Sequence, residues 1–124
     1  MTITTDASSL LEQATASIEQ MPAQIEATEL AAFDLQQHIA ALKDEAGKIE
    51  ETATAEASAE STETKRKSRK CEILRDDADY QTLQFEIREC ERVRFRLETR
   101  AHRLAREYRH RLIETEATTL GRRY

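Results

Sequence analysis

Every third and fourth residue from Leu11 onward reads Leu11, Ala14, Ile18, Met21, Ile25, Thr28, Ala32, Leu35, Ile39, Leu42, Ala46, Ile49 and Ala53, with Thr28 the one polar member. An apolar stripe that returns at helical spacing over this length predicts a long helix, and the stripe has to be covered by another helix. Little room is left for other architectures. Sheets and tight turns draw on aromatic residues, Gly, Pro and Asn, and the chain has three Tyr, three Phe, no Trp, two Gly, one Pro and no Asn. Ser9 followed by Glu12 fits a capping box at the start of this helix. Pro22 lies inside the pattern and predicts either a kink or a break that makes it part of the first turn of the main helix. The reading is an acidic helix over 9–53 preceded by a disordered start at 1–8.

A second seam runs through Ile73, Asp76, Tyr80, Leu83, Ile87, Cys90, Arg94, Leu97, Ala101, Leu104 and Tyr108, then drifts through Leu112 to Thr115. It predicts an arginine-rich helix over 71–118. Asp77 or Asp79 is placed to cap a helix beginning near Tyr80, unless the aspartates are carried inside a helix that starts near residue 66. Leu120-Gly121 reads as a helix stop, with 119–124 as a basic tail. Continuing the first register beyond Ala53 puts Glu56, Glu60, Glu63, Lys67 and Lys70 at core positions, so residues 54–70 read as a polar link carrying a basic cluster.

Both seams cover 43 residues, 11–53 and 73–115, or roughly 65 Å of helix each. Equal lengths joined by a polar link favour an all-α, long antiparallel helical hairpin of coiled-coil type over one continuous rod of about 160 Å. Such a pair leaves apolar surface uncovered. Leu30, Phe33, Phe85, Val93, Phe95 and Ile113 lie off the strict seam positions and widen the apolar face. Covering them predicts a homo-oligomer, a dimer of hairpins forming a four-helix bundle. Its candidate oligomer seam is Leu11, Ile18, Ile25, Leu35, Ile39, Leu42 and Ile49 on the first helix. The second contributes Tyr80, Leu83, Ile87, Cys90, Leu97, Leu104 and Tyr108. Arg94 sits on the seam itself, where pairing with a first-helix carboxylate or snorkelling to the surface would fix register.

Charge is unevenly placed. Residues 1–62 hold twelve acids and two lysines, net −10, and residues 63–124 hold twelve acids and seventeen bases, net +5. The halves invite pairing with each other, within a chain or between chains. Nine arginines fall within residues 88–111. Placing Tyr80, Ile87, Arg94 and Ala101 at one heptad position turns Arg88, Arg92, Arg96, Arg103, Arg106 and Arg109 outward. A solvated helix back, supported by pairs such as Glu89 with Arg92 and Glu107 with Arg111, accounts for this. The alternative is a phosphate-gripping face of Arg88, Arg92, Arg96, Arg103 and Arg106, joined by Lys65, Arg66, Lys67, Arg69 and Lys70. Without zinc-finger spacing or a zipper abutting a basic region, such binding would be salt-sensitive and blind to sequence.

Other chemistry finds no support in the pattern. There is no Gly-rich phosphate loop, nucleophile elbow or Cys-x-x-Cys. Glu107 and His110 show the spacing used in di-metal helical bundles, but the second such pair is missing and both fall outside the seam. No enzyme activity, cofactor or metal is expected. No run of about eighteen apolar residues occurs, so no membrane partner is expected. The N-terminal residues lack a basic start and an apolar core, and Cys71 and Cys90 read as reduced thiols, which together predict a cytoplasmic protein. A nineteen-residue separation on one helix is far beyond disulfide reach, and Cys90 reads as a small buried hydrophobe.

The stretch from Lys65 to Glu116 contains Asp77-Ala78-Asp79-Tyr80-Gln81-Thr82-Leu83 followed by Glu91, Glu98 and Glu107. Over this half of the chain it resembles small helical-hairpin coiled-coil proteins of unassigned role carried by phages and mobile elements. In those, an acidic helix is followed by a link and a second helix opened by an Asp/Glu-Tyr-x-x-Leu turn. They are often found near single-strand annealing and recombination genes. The higher arginine content and threonine-rich link depart from that pattern, and no functional residue is carried over. The combined expectation is a non-enzymatic coiled-coil interaction or assembly module that self-associates through its seams. A nucleic-acid-binding accessory of recombination, repair or packaging is the alternative, and one half of a hetero-oligomer with another protein partner is the third.

Overall fold

The computed structural model describes residues 17–123 together with Ala7, Leu10 and Leu11, the side chains of Arg122 and Arg123 excepted. The expected disorder over 1–8 (apart from Ala7), the Ser9–Glu12 capping box and seam residue Ala14 concern residues outside that set. The described chain is all-α, with helices α1 (Met21–Ala57), α2 (Glu63–Asp76) and α3 (Ala78–Arg123).

Pro22 resolves its two alternatives by standing in the first turn of α1, where a backbone N–H would have no intrahelical partner. A turn over residues 18–20 leads in, and the Gln20 carbonyl accepts the Gln24 N–H at 3.1 Å. α1 then runs past the expected limit at Ala53. The seam continues by one further step of four to Ala57, and both alanines are buried. The threonines near the end of α1 satisfy their own hydroxyls on the preceding turn: Thr52 Oγ1 donates to the Lys48 carbonyl at 3.1 Å and Thr54 Oγ1 to Glu50 at 2.9 Å.

The expected 54–70 link is therefore corrected to a short turn at 58–62, and the basic cluster at 65–70 belongs to α2. Thr62 is the reason. Its backbone is extended (φ −126°, ψ 157°), and its hydroxyl accepts the Lys65 N–H at 3.2 Å, which starts a new helix. Asp77 ends α2 and opens α3. With φ −84° and ψ 108° it leaves helical geometry, donates its N–H to the Leu74 carbonyl at 3.3 Å and accepts the Tyr80 N–H on Oδ1 at 2.9 Å. Gly121 does not stop α3: it is helical, with no positive φ, so the expected basic tail continues the helix through Arg123.

The chain divides into two compact units, one of residues 1–35 with 92–124 and the other of residues 36–91. In the first, Met21, Thr28, Ala32 and Leu35 of α1 and Leu97, Ala101 and Leu104 of α3 are buried. Thr28 tolerates full burial because its hydroxyl donates to the Gln24 carbonyl at 2.7 Å. In the second, Ile39, Leu42, Ala46, Ala53 and Ala57 of α1 and Ile87 and Cys90 of α3 are buried, with Ile49, Ile73, Tyr80 and Leu83 half-buried. Leu11, Ile18, Ile25 and Tyr108 are half-buried, while Asp76, Leu112 and Thr115 are exposed. Among the described residues no helix is long and apolar enough to cross a membrane.

Candidate interaction surfaces

Half of the expected seam residues are buried within a single chain and the other half are half-buried. Leu35, Ile39, Leu42, Ile87, Cys90, Leu97 and Leu104 are the members covered within the chain itself. Polar contacts add to this intramolecular packing. In the second unit Tyr80 Oη donates to Glu50 Oε1 at 2.7 Å, and Lys43 Nζ lies 3.1 Å from Glu91 Oε1. The Tyr80 phenol is held above its usual range, first by the hydrogen bond to Glu50, then by burial and by the Glu50 charge. The Cys90 thiol is also pushed up, by burial and then by the negative charges of Glu86 and Glu89. No sequence signal links Tyr80 with Glu50 across thirty residues, since hydrogen-bond partners on different helices follow no spacing rule.

What remains exposed is apolar as well as charged. Leu30 and Phe33 on α1 are each 55% accessible, and Phe85, Phe95 and Ile113 on α3 are 58%, 68% and 65% accessible. Val93, expected to widen the same face, is half-buried.

The arginines divide into groups with different surroundings. Arg88, Arg92, Arg96, Arg103, Arg106 and Arg109 are all exposed. Arg96, Arg100 and Arg103 line a shallow concavity with Leu11, Phe95 and Thr99. Arg94 does not reach an α1 carboxylate. Its Nε lies 3.8 Å from Glu98 Oε1 on its own helix and its side chain is partly exposed, so of the two expected alternatives the pair across helices is not the one adopted. Arg111 holds Glu107 at 2.7 Å, and His110 faces Glu114 at 3.1 Å rather than Glu107. Among the described residues no three His, Cys, Asp or Glu side chains gather where they would hold a metal ion.

The basic cluster is tied into its surroundings. Lys67 pairs with Glu63 at 3.7 Å and Arg69 with Glu72 at 3.4 Å, exposed pairs worth little. Arg66 Nε donates to the Glu60 carbonyl at 3.0 Å. Arg66, Lys67 and Lys70 line a groove with Thr54, Ala57 and Ser58 at the end of α1, a helix with no basic residue in its own last turn. Cations there complement the partial negative charge of the α1 C-terminus. Three of the five cluster residues thus have a local electrostatic role. Lys65 is exposed on the rest of α2, which has no buried residue.

No protein-family model, curated protein or solved structure matches this chain.

Proposed function

We propose that this chain is a non-enzymatic helical-hairpin module that works by self-association, with hairpins packing side by side into four-helix contacts. The observation that carries the reading is the coexistence of satisfied seams and exposed phenylalanines. Large apolar side chains left on the outside of a helix pair mark a surface that another molecule covers. The hairpin itself is supported by the Tyr80–Glu50 and Lys43–Glu91 contacts, in which rising numbers on one helix meet falling numbers on the other. On a continuous rod, residues 50 and 80 would stand about 45 Å apart. Oligomer formation then rests on the off-seam residues rather than on the seams. Sedimentation equilibrium tests it: the weight-average mass should exceed the 14.2 kDa of one chain and rise with concentration. A constant single-chain mass at all concentrations would remove the reading.

A second reading, binding of nucleic acid through phosphates, is favoured by the exposure of Arg88, Arg92, Arg96, Arg103 and Arg106 along α3. Fluorescence anisotropy with labelled single- and double-stranded DNA and RNA tests it. Affinity should fall by orders of magnitude between about 50 and 200 mM salt if several phosphates are held. Absence of binding at the lower salt would make these arginines a solvated or protein-facing surface.

A further inference from the structure

Two exposed patches in the unit formed by residues 1–35 and 92–124 differ in sign and match in length. On α1, Glu26, Leu30 and Phe33 follow one another at steps of four and three, which places them on one side of the helix. Residues 24–35 contain Glu26, Glu29 and Asp34 and no base, net −3. On α3, Phe95, Thr99, Arg103 and Arg106 make a second stripe, and residues 95–106 contain four arginines and one glutamate, net +3. Each twelve-residue stretch covers about 18 Å of helix. Each has an exposed phenylalanine, Phe33 or Phe95, set among exposed charges: Glu26, Glu29 and Asp34 in one, Arg96, Arg103 and Arg106 in the other.

We infer that the acidic Leu30/Phe33 face of α1 in one copy docks on the arginine-flanked Phe95 face of α3 in the next. The inference rests on the self-association reading and specifies its contact. Charge complementarity argues for a second copy as occupant, because this chain supplies both signs beside matching aromatic anchors. A single-stranded nucleic acid would use Phe95 and the arginines but would leave Leu30 and Phe33 uncovered. The geometry also sets the type of assembly. Each patch lies on the side of its helix away from the buried residues, Thr28, Ala32 and Leu35 on α1 and Leu97, Ala101 and Leu104 on α3. One chain cannot bring the two patches onto each other, and the contact joins unlike surfaces. Contacts of that kind propagate into rings or open chains rather than closing at a symmetric pair.

The test uses two triple variants of the full chain, with circular dichroism to verify that helix content is kept. Arg96→Glu/Arg103→Glu/Arg106→Glu makes both patches acidic, and Glu26→Lys/Glu29→Lys/Asp34→Lys makes both basic. Each alone should need at least about tenfold more protein to assemble than wild type. Mixing the two should restore assembly, because every contact in the mixture again joins opposite signs. Assembly of wild type should also weaken with added salt and give masses beyond that of two chains.

Wild-type assembly by either helical variant alone, or failure of the mixture, would overturn the inference while leaving self-association standing. A wild type that is monomeric throughout removes both. If instead that monomer binds a labelled thymidine oligonucleotide and the arginine variant does not, the α3 face belongs to nucleic acid and the inference falls. Should a triple variant lose helix, Phe33→Gln and Phe95→Gln serve, since both side chains are already in solvent. Each should weaken assembly by about tenfold, and unchanged assembly in both would overturn the inference.

Discussion

Replacing Leu97 by Ala gives opposite results for a packed seam and for a solitary helix. Leu97 has no accessible surface. Burying a leucine contributes about 1.5–3 kcal/mol, and removing most of the side chain also leaves a cavity, which brings measured Leu→Ala costs to about 2.7–5 kcal/mol. The seam around Leu97 is slender, with Ala101 and Leu104 following on the same stripe, and neighbours can close part of the space. A loss near the lower end, about 3 kcal/mol, is therefore expected. In an unpartnered helix the same change would be neutral or slightly favourable, because Ala is the best helix former. Urea denaturation followed by far-ultraviolet circular dichroism, at one fixed protein concentration, reads the difference. Arg109→Ala, exposed on the same helix and outside the Phe95 patch, is the control and should stay within about 0.5 kcal/mol of wild type. A Leu97→Ala midpoint equal to or above wild type would refute intramolecular burial of the seam.

Other consequences are testable individually. Tyr80→Phe should cost about 1 kcal/mol through loss of the bond to Glu50. The fold holds Tyr80 in its neutral form above the usual value, so this contribution is complete below the unfolded pKa near about 10 and fades as pH rises through the folded one. Chemical denaturation across that alkaline range should show the gap between wild type and Tyr80→Phe closing, and a constant gap would count against the phenol–carboxylate contact. Cys71 is exposed and Cys90 buried with its thiol pushed up, so a thiol reagent should modify Cys71 quickly and Cys90 only on unfolding. Two equally fast thiols would contradict the seam assignment. Asp77→Ala should cost about 1 kcal/mol and Asp77→Asn much less, because Asn also caps helices. Hydrogen exchange at the Tyr80 amide should quicken in the alanine variant, and unaltered exchange would show that the carboxylate is not the cap.

The seams were legible because burial on a helix leaves a periodic trace. Ala32, Leu35, Ile39, Leu42 and Ala46 occupy the positions that spacing assigned to the inside, and so do Ile87, Cys90, Leu97 and Leu104. The outward direction of Arg88, Arg92, Arg96, Arg103 and Arg106 follows from the same phase. The ends of helices were less legible, since they depend on single residues. At Ala53 a step of three leads to Glu56 and a step of four to Ala57, and the chain takes the alanine. The signal for α2 was present in Thr62-Glu63, a cap followed by an acid in the first turn, but charged residues at the continued core positions (Glu56, Glu60, Glu63, Lys67, Lys70) read as a link. Gly121 has the usual residue type of a helix stop without the left-handed backbone that makes it one. Arg94 shows the limit of phase reasoning: its position was assigned by the heptad, yet its partner Glu98 is a neighbour on its own helix.

Residues 61–69 are exposed without exception, and no residue of α2 is buried. A core helix that gains or loses a residue rotates its apolar stripe out of register with everything packed on it. The first half of α2 has no such stripe, and its start is set by one threonine cap. Extra length is thus tolerated in the turn before that cap rather than inside the helix, whose Arg66, Lys67 and Lys70 meet the end of α1. A grafted epitope or an affinity tag is therefore best placed at Ser61, in the exposed turn ahead of the Thr62 cap, where it leaves the Arg66, Lys67 and Lys70 contacts and the Asp77 junction in register.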